Sequence, residues 1–157
     1  MVELLVIYVL QMTPGLVPEI GGGRPVLLIP AALTIAMFEG DIGGMVAGIV
    51  AGLLIDMGGT DLLGFHGVLL AVLCFAVGAL TMKTFRTNLL VSMIAAFAAI
   101  PLVLALQWLF FFVLPGYDGA VYVFVSSILP KMLYTFAVTP IFYGFNRVVA
   151  LRLSEAL

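Results

Sequence analysis

The sequence predicts an all-α integral membrane protein, and three observations support that prediction. Of 157 residues, 64% are hydrophobic and 9% are charged, whereas a soluble domain is about half apolar and about a quarter charged. The apolar residues form runs of the length that membrane helices need, separated by short turns with glycine, proline or charged residues. Glycines recur every four residues from Gly40 to Gly52, a spacing that places them on one face of a helix.

Six apolar segments are predicted to be spans of a single transmembrane domain that covers residues 1–157. These spans are residues 4–17, 25–38, 42–55, 62–82, 89–114 and 130–149. Residues 120–129 are expected to lie at the membrane interface, and one long broken span over 120–150 stays open as an alternative. The second and third spans are short, since each covers about 21 Å of about 30 Å of hydrocarbon. Either they extend through the acidic turn between them, or they are buried among other helices.

The basic residues predict that both termini lie in the cytoplasm. With six spans and a cytoplasmic N-terminus, four basic residues fall inside and two outside, in agreement with the positive-inside rule. The inside residues are Lys83, Arg86, Arg147 and Arg152, and the outside residues are Arg24 and Lys131. Five spans would place the basic loop and the basic tail on opposite sides. The N-terminal segment is expected to be a first membrane segment and not a removable signal peptide.

Four glycines and an acid form one stripe on the third predicted span. Its members are Gly40, Gly44, Gly48, Gly52 and Asp56. Such a stripe lets another helix approach backbone to backbone, where van der Waals packing supplies the attraction that lipid cannot. The stripe is predicted to serve either helix packing within the chain or the binding of a partner protein.

Asp56 shares the glycine face, so its carboxylate is expected to point at the neighbouring helix. An acid at the centre of a membrane helix costs about 2.5–3.5 kcal/mol, and less near an interface, so it needs a partner. We hypothesise that Asp56 accepts hydrogen bonds from the first turn of the next span, near Thr60 to Gly64, and so locks the hairpin.

No catalytic residue, metal site or cofactor is predicted. The sequence has no Ser/His/Asp set, no CxxC pair and no phosphate-binding loop, and its net charge of −2 gives no case for nucleic acid. Cys74 is expected to be a small apolar packing residue, and His66 an interfacial or capping group. Four carboxylates could suggest a cation site, but all sit at predicted turns, where acids are solvated or cap helices. They are Glu39, Asp41, Asp56 and Asp61.

The run GMVAGIVAGLLID from Gly44 to Asp56, followed by Leu63-Gly64, resembles the MreD family of rod-shape-determining membrane proteins. The proline-led second span and the sequence YGFNR at 143–147 resemble the family as well, so the resemblance covers most of the chain. Two features depart from the family pattern. The chain starts with Met1-Val2-Glu3 where basic residues are usual, and Val26 follows Pro25 where the family often has an acid.

The resemblance implies a six-helix bundle similar to the substrate-binding subunits of energy-coupling-factor vitamin transporters. It also implies a non-enzymatic scaffold in the cell-wall elongation machinery of the bacterial cytoplasmic membrane. The implied partner is MreC, with MreB, RodA and a class B penicillin-binding transpeptidase in the same assembly and lipids around it.

Two other functions stay open. The shared fold allows a substrate-binding transporter subunit, with scattered polar candidates for a cavity: Asn88, Ser92, Gln107, Tyr134 and Thr139. Against it, residues 4–17 contain no alanine, whereas such transporters dock their energising partner through an alanine motif in the first span. A lipid-handling protein is the other possibility, because kinks at Pro101 and Pro140 could open a lateral groove.

Overall fold

The computed structural model describes residues 2–16, 26–58, 63–83 and 88–156, and all regular structure in these ranges is helical. The helices are α1 (Val2–Met12), α2 (Leu28–Met57), α3 (Phe65–Lys83), α4 (Leu89–Val113) and α5 (Ala120–Ala156). Within the described ranges, α2 to α5 are the four that are long and apolar enough to cross a membrane. The all-α membrane class is therefore confirmed.

The predicted count of six helices is not confirmed, because the described residues form five. The predicted spans 25–38 and 42–55 correspond to the two halves of α2, which begins at Leu28 and changes direction at Gly40. Helix α1 has 11 residues and ends at Met12, before Pro14, so its length of about 16 Å is too short to cross the hydrocarbon. Residues 120–129 begin α5, and a π-helical turn at Phe124–Ile128 precedes Pro130, whose missing N–H interrupts the helical hydrogen bonds.

Helix α2 turns back on itself at Gly40. The φ and ψ angles of Gly40 are 89° and −163°, a conformation open essentially only to glycine. A Cβ atom built on Gly44 would overlap the side chain of Ala36, although in a straight helix these positions would lie about 12 Å apart. The two halves of α2 therefore lie side by side.

The first half of α2 is the centre of the bundle. Every residue from Leu28 to Met37 is buried, and α1, α4 and α5 all contact α2. A helix that is apolar on all sides is one surrounded by protein. For this segment the structure agrees with burial among other helices.

The second half of α2 packs antiparallel on α3, in the most extensive helix pair of the described chain. The close pairs are Gly40 with Gly78, Gly44 with Cys74, Gly48 with Leu70, and Gly52 with Gly67. The buried residues of α3 include His66, Leu70, Cys74 and Gly78, which repeat the same spacing of four residues. Each helix therefore places a row of positions against the backbone of the other.

We expect Gly48→Ala to lower the stability of the folded protein. A Cβ atom at Gly48 would overlap the carbonyl group of Leu70, and overpacking of this kind costs about 1–3 kcal/mol. The matched control is Gly144→Ala in α5, where a Cβ atom meets nothing within 4 Å; it should be neutral or stabilising by up to about 1 kcal/mol. Thermal unfolding in detergent measures both, and equal midpoints for the two variants would contradict close packing at Gly48.

Candidate functional site

Asp56 joins the end of α2 to the start of α3. Its Oδ2 atom accepts a hydrogen bond from the Gly64 N–H at 2.8 Å. Its Oδ1 atom accepts one from the His66 N–H at 3.4 Å and lies 2.7 Å from His66 Nδ1. Both side chains are almost fully buried, with Asp56 2% exposed and His66 1% exposed. The carboxylate therefore binds the first turn of α3 by both of its oxygens.

This arrangement suits a helix cap and a fixed imidazole. The first N–H groups of a helix have no partner within the helix, and a negative charge there is favoured by the helix dipole. A carboxylate at Nδ1 holds the ring with Nδ1–H towards it and leaves Nε2 as the second ring nitrogen. Within the ranges that the structure describes, no group of three or more His, Cys, Asp or Glu side chains comes together.

The structure places the other predicted residues as follows. Gly40, Gly44, Gly48 and Gly52 are buried. Asp41 accepts a hydrogen bond from the Ile42 N–H at 2.8 Å, at the opposite end of the second half of α2 from Asp56. These two acids are therefore about 22 Å apart along the helix and share no cation site. Thr60 and Asp61 lie outside the described residues, and Cys74 is fully buried against α2.

An aromatic cluster lies beside the Asp56–His66 pair. The ring of Phe65 makes an edge-on contact with the ring of His66, with centroids 5.2 Å apart. It also contacts Phe110 and Phe111 in the π-helical end of α4. The aromatic residues at the end of α4 therefore pack against the start of α3.

The polar candidates for a transporter cavity are not gathered into one site. Asn88 and Ser92 lie at the start of α4, whereas Gln107 lies near its far end. Thr139 in α5 is buried and donates to the backbone oxygen of Thr135 at 3.1 Å. These positions give no single polar pocket of the kind a small-molecule carrier needs.

Sequence reasoning missed two polar contacts in this bundle. His66 was expected to be interfacial or capping, and its contact with Asp56 was not foreseen, although both residues flank the same turn. Asn146 Nδ2 donates to Thr34 Oγ1 at 2.6 Å in a buried contact between α5 and α2. No local signal could have found that contact, because the partners are 112 positions apart.

Near Asn146, desolvation by burial raises the pKa of the Glu3 carboxyl.

An apolar groove runs along the outside of the bundle between α1 and α5. Its volume is about 520 Å³, and its lining is nearly all apolar. The residues that form it are Val2, Glu3, Val6, Ile7, Leu10, Ile141, Phe142, Phe145 and Val149.

Fold and site together define a multi-pass helical membrane protein in which a glycine-lined hairpin is fastened by a buried carboxylate. The family model described as rod shape-determining protein MreD matches residues 1–149, so the chain belongs to the MreD family. That family consists of shape-determining structural proteins of the membrane. No curated protein and no solved structure matches the chain.

We expect Asp56→Ala to destabilise the fold. The substitution leaves the buried N–H of His66 and the part-buried N–H of Gly64 without their acceptor, and an unsatisfied buried group costs about 1–3 kcal/mol. The measurement is the unfolding midpoint in detergent, compared with Asp118→Ala in an exposed loop. The capping role is excluded if Asp56→Ala unfolds at the same temperature as Asp118→Ala.

Proposed function

We propose that this chain is a non-enzymatic membrane scaffold of the bacterial cell-wall elongation complex, and that it binds MreC and so helps maintain rod shape. Membership of the MreD family supports the rod-shape role. MreB, RodA and a class B penicillin-binding transpeptidase are the further partners that this role implies. The proposed setting is the cytoplasmic membrane, with several spans and with both termini in the cytoplasm.

The unpartnered surface of α5 is the observation that most favours a scaffold. In its most apolar window, α5 has 11% of its residues buried, whereas α2, α3 and α4 each have 33%. Helix α5 is also the longest helix of the described chain, with 37 residues. Helix α5 contacts α2 and α4, yet residues on its outer side, such as Ile141 and Phe145, are exposed and free for lipid or for another protein.

The glycine stripe on α2 is covered by α3, which argues against it as the surface that binds a partner protein. Because α3 covers Gly44, Gly48 and Gly52, that stripe is used within the described chain. The groove between α1 and α5 is open, and the short helix α1 covers only part of α5. We therefore place the proposed MreC contact in this groove, where an apolar membrane helix of the partner would pack against Ile141 and Phe145.

The transporter alternative is not supported by these findings. Its candidate residues are dispersed between the two ends of α4 and the middle of α5. The lipid-handling alternative stays a prediction.

A tryptophan placed in the groove should block MreC binding without unfolding the protein. Ile141 lies in the groove and is 69% exposed, whereas Ile94 lies on α4 and is 61% exposed. We expect Ile141→Trp to lose most of the MreC that co-purifies from native membranes in mild detergent. The matched control Ile94→Trp, the same change at a similar exposure, should retain it.

Three results would count against this proposal. If the parent protein does not co-purify with MreC, the partner is wrong. If Ile141→Trp retains MreC as fully as the parent does, the groove is not the contact. If Ile94→Trp loses MreC and Ile141→Trp does not, the contact lies on the α4 side of the bundle.

A further inference from the structure

A polar cavity of about 190 Å³ lies near the Asp56–His66 pair, between residues of all five helices and the turns that flank α2. The polar residues on its described lining are Gln11, His66, Gln107 and Lys131. The remaining lining is Met12, Val26, Ile29, Ile55 and Gly58. About half of its surface is polar, unlike the lining of the groove between α1 and α5.

Several hydrogen-bonding groups on this lining are uncommitted. The oxygen of Gln11 accepts a hydrogen bond from the Leu27 N–H at 3.1 Å, which leaves the amide NH₂ of Gln11 available. The His66 Nδ1 atom faces Asp56, which leaves the other ring nitrogen, Nε2, available for a hydrogen bond. The side chains of Gln107 and Lys131 make no hydrogen bond or ion pair with any other residue that the structure describes.

The ammonium group of Lys131 makes the described lining of this cavity positively charged. An ammonium group removed from water costs free energy unless an opposite charge or hydrogen-bond acceptors replace the lost hydration. Among the described residues that line the cavity there is no Asp or Glu, and the carboxylate of Asp56 is held by Gly64 and His66. One cation and two carboxamides thus border a small space that holds no described counter-ion.

The backbone N–H groups near this cavity, at the starts of α2 and α3, are not available to bind an anion. The Val26 N–H donates to Thr135 Oγ1 at 3.2 Å, and the Leu27 N–H donates to Gln11. The His66 N–H is used by Asp56. Recognition in this cavity must therefore come from side chains, and among the described residues that line it Lys131 is the one lysine or arginine.

We propose that this cavity binds an anionic oxygen group of the phosphate class, with the Lys131 ammonium as counter-ion and the amides of Gln11 and Gln107 as hydrogen-bond donors. Sites for drug-sized ligands have volumes of about 300–1,000 Å³, so 190 Å³ suits a group of a few heavy atoms. Such a group reaches a membrane protein either as the headgroup of an anionic phospholipid or as free phosphate.

The test uses the full chain in detergent with bound lipid removed. Inorganic phosphate is titrated in one arm, and phosphatidylglycerol in mixed micelles in the other. Thermal unfolding reports binding of either probe, and native mass spectrometry counts retained lipid. We expect at least one probe to raise the unfolding midpoint of the parent, and Lys131→Met to weaken that binding by about tenfold or more, because a hydrogen-bonded charge is lost.

The matched control is Lys83→Met, which removes an exposed lysine at the end of α3 and should leave binding unchanged. Lys131→Arg keeps the charge and should retain binding, which separates loss of the cation from damage to the fold. A response to phosphatidylglycerol alone assigns a lipid headgroup, and a response to inorganic phosphate assigns the free anion.

The proposal is overturned if neither probe shifts the parent, if Lys131→Met responds as the parent does, or if Lys83→Met loses binding to the same extent. It is independent of MreC binding, since Lys131 does not line the groove between α1 and α5. Lys131→Met should therefore still co-purify with MreC to the same extent as the parent.

Discussion

Backbone contact between the second half of α2 and α3 is the constraint on which the rest of this fold depends. In lipid, apolar side chains gain nothing by leaving their solvent, so helices associate through close van der Waals contact. Glycines every four residues allow that contact over the length of the pair. Because the chain also turns back at Gly40, the same feature directs the first half of α2 into the centre, where α1, α4 and α5 surround it.

The features that depend on one short stretch of sequence could be predicted. The glycine spacing and Asp56 belong to a single segment, and the helical repeat alone places them on one face. The remainder depended on segments far apart in the chain. The hydrogen bond from Asn146 to Thr34 needs α5 to be placed against α2. Residues 120–129 were predicted to lie at the membrane interface, and their continuity with α5 depends on the residues that follow them and not on their own composition.

Two parts of the molecule consequently differ in what they can still bind. The glycine face of α2 is covered by the backbone of α3. Asp56 at the end of α2 also accepts a hydrogen bond from the Gly64 N–H just before α3. Helix α5 contacts α2 and α4 on one side but leaves apolar residues exposed on the other, among them Ile141 and Phe145. The facing surfaces of α2 and α3 are therefore used within the chain, whereas the outer side of α5 stays available to lipid or protein.

Two charged side chains at the same end of the bundle, the buried Asp56 and the partly buried Lys131, have different surroundings. The carboxylate of Asp56 receives hydrogen bonds from two backbone N–H groups and faces an imidazole, so its burial is compensated by the chain itself. The ammonium of Lys131 receives no such compensation from the described residues that line its cavity. The described residues thus supply hydrogen-bond partners for the charge of Asp56 but none for the charge of Lys131. The excess positive charge is therefore better explained by a ligand of opposite sign than by the requirements of folding.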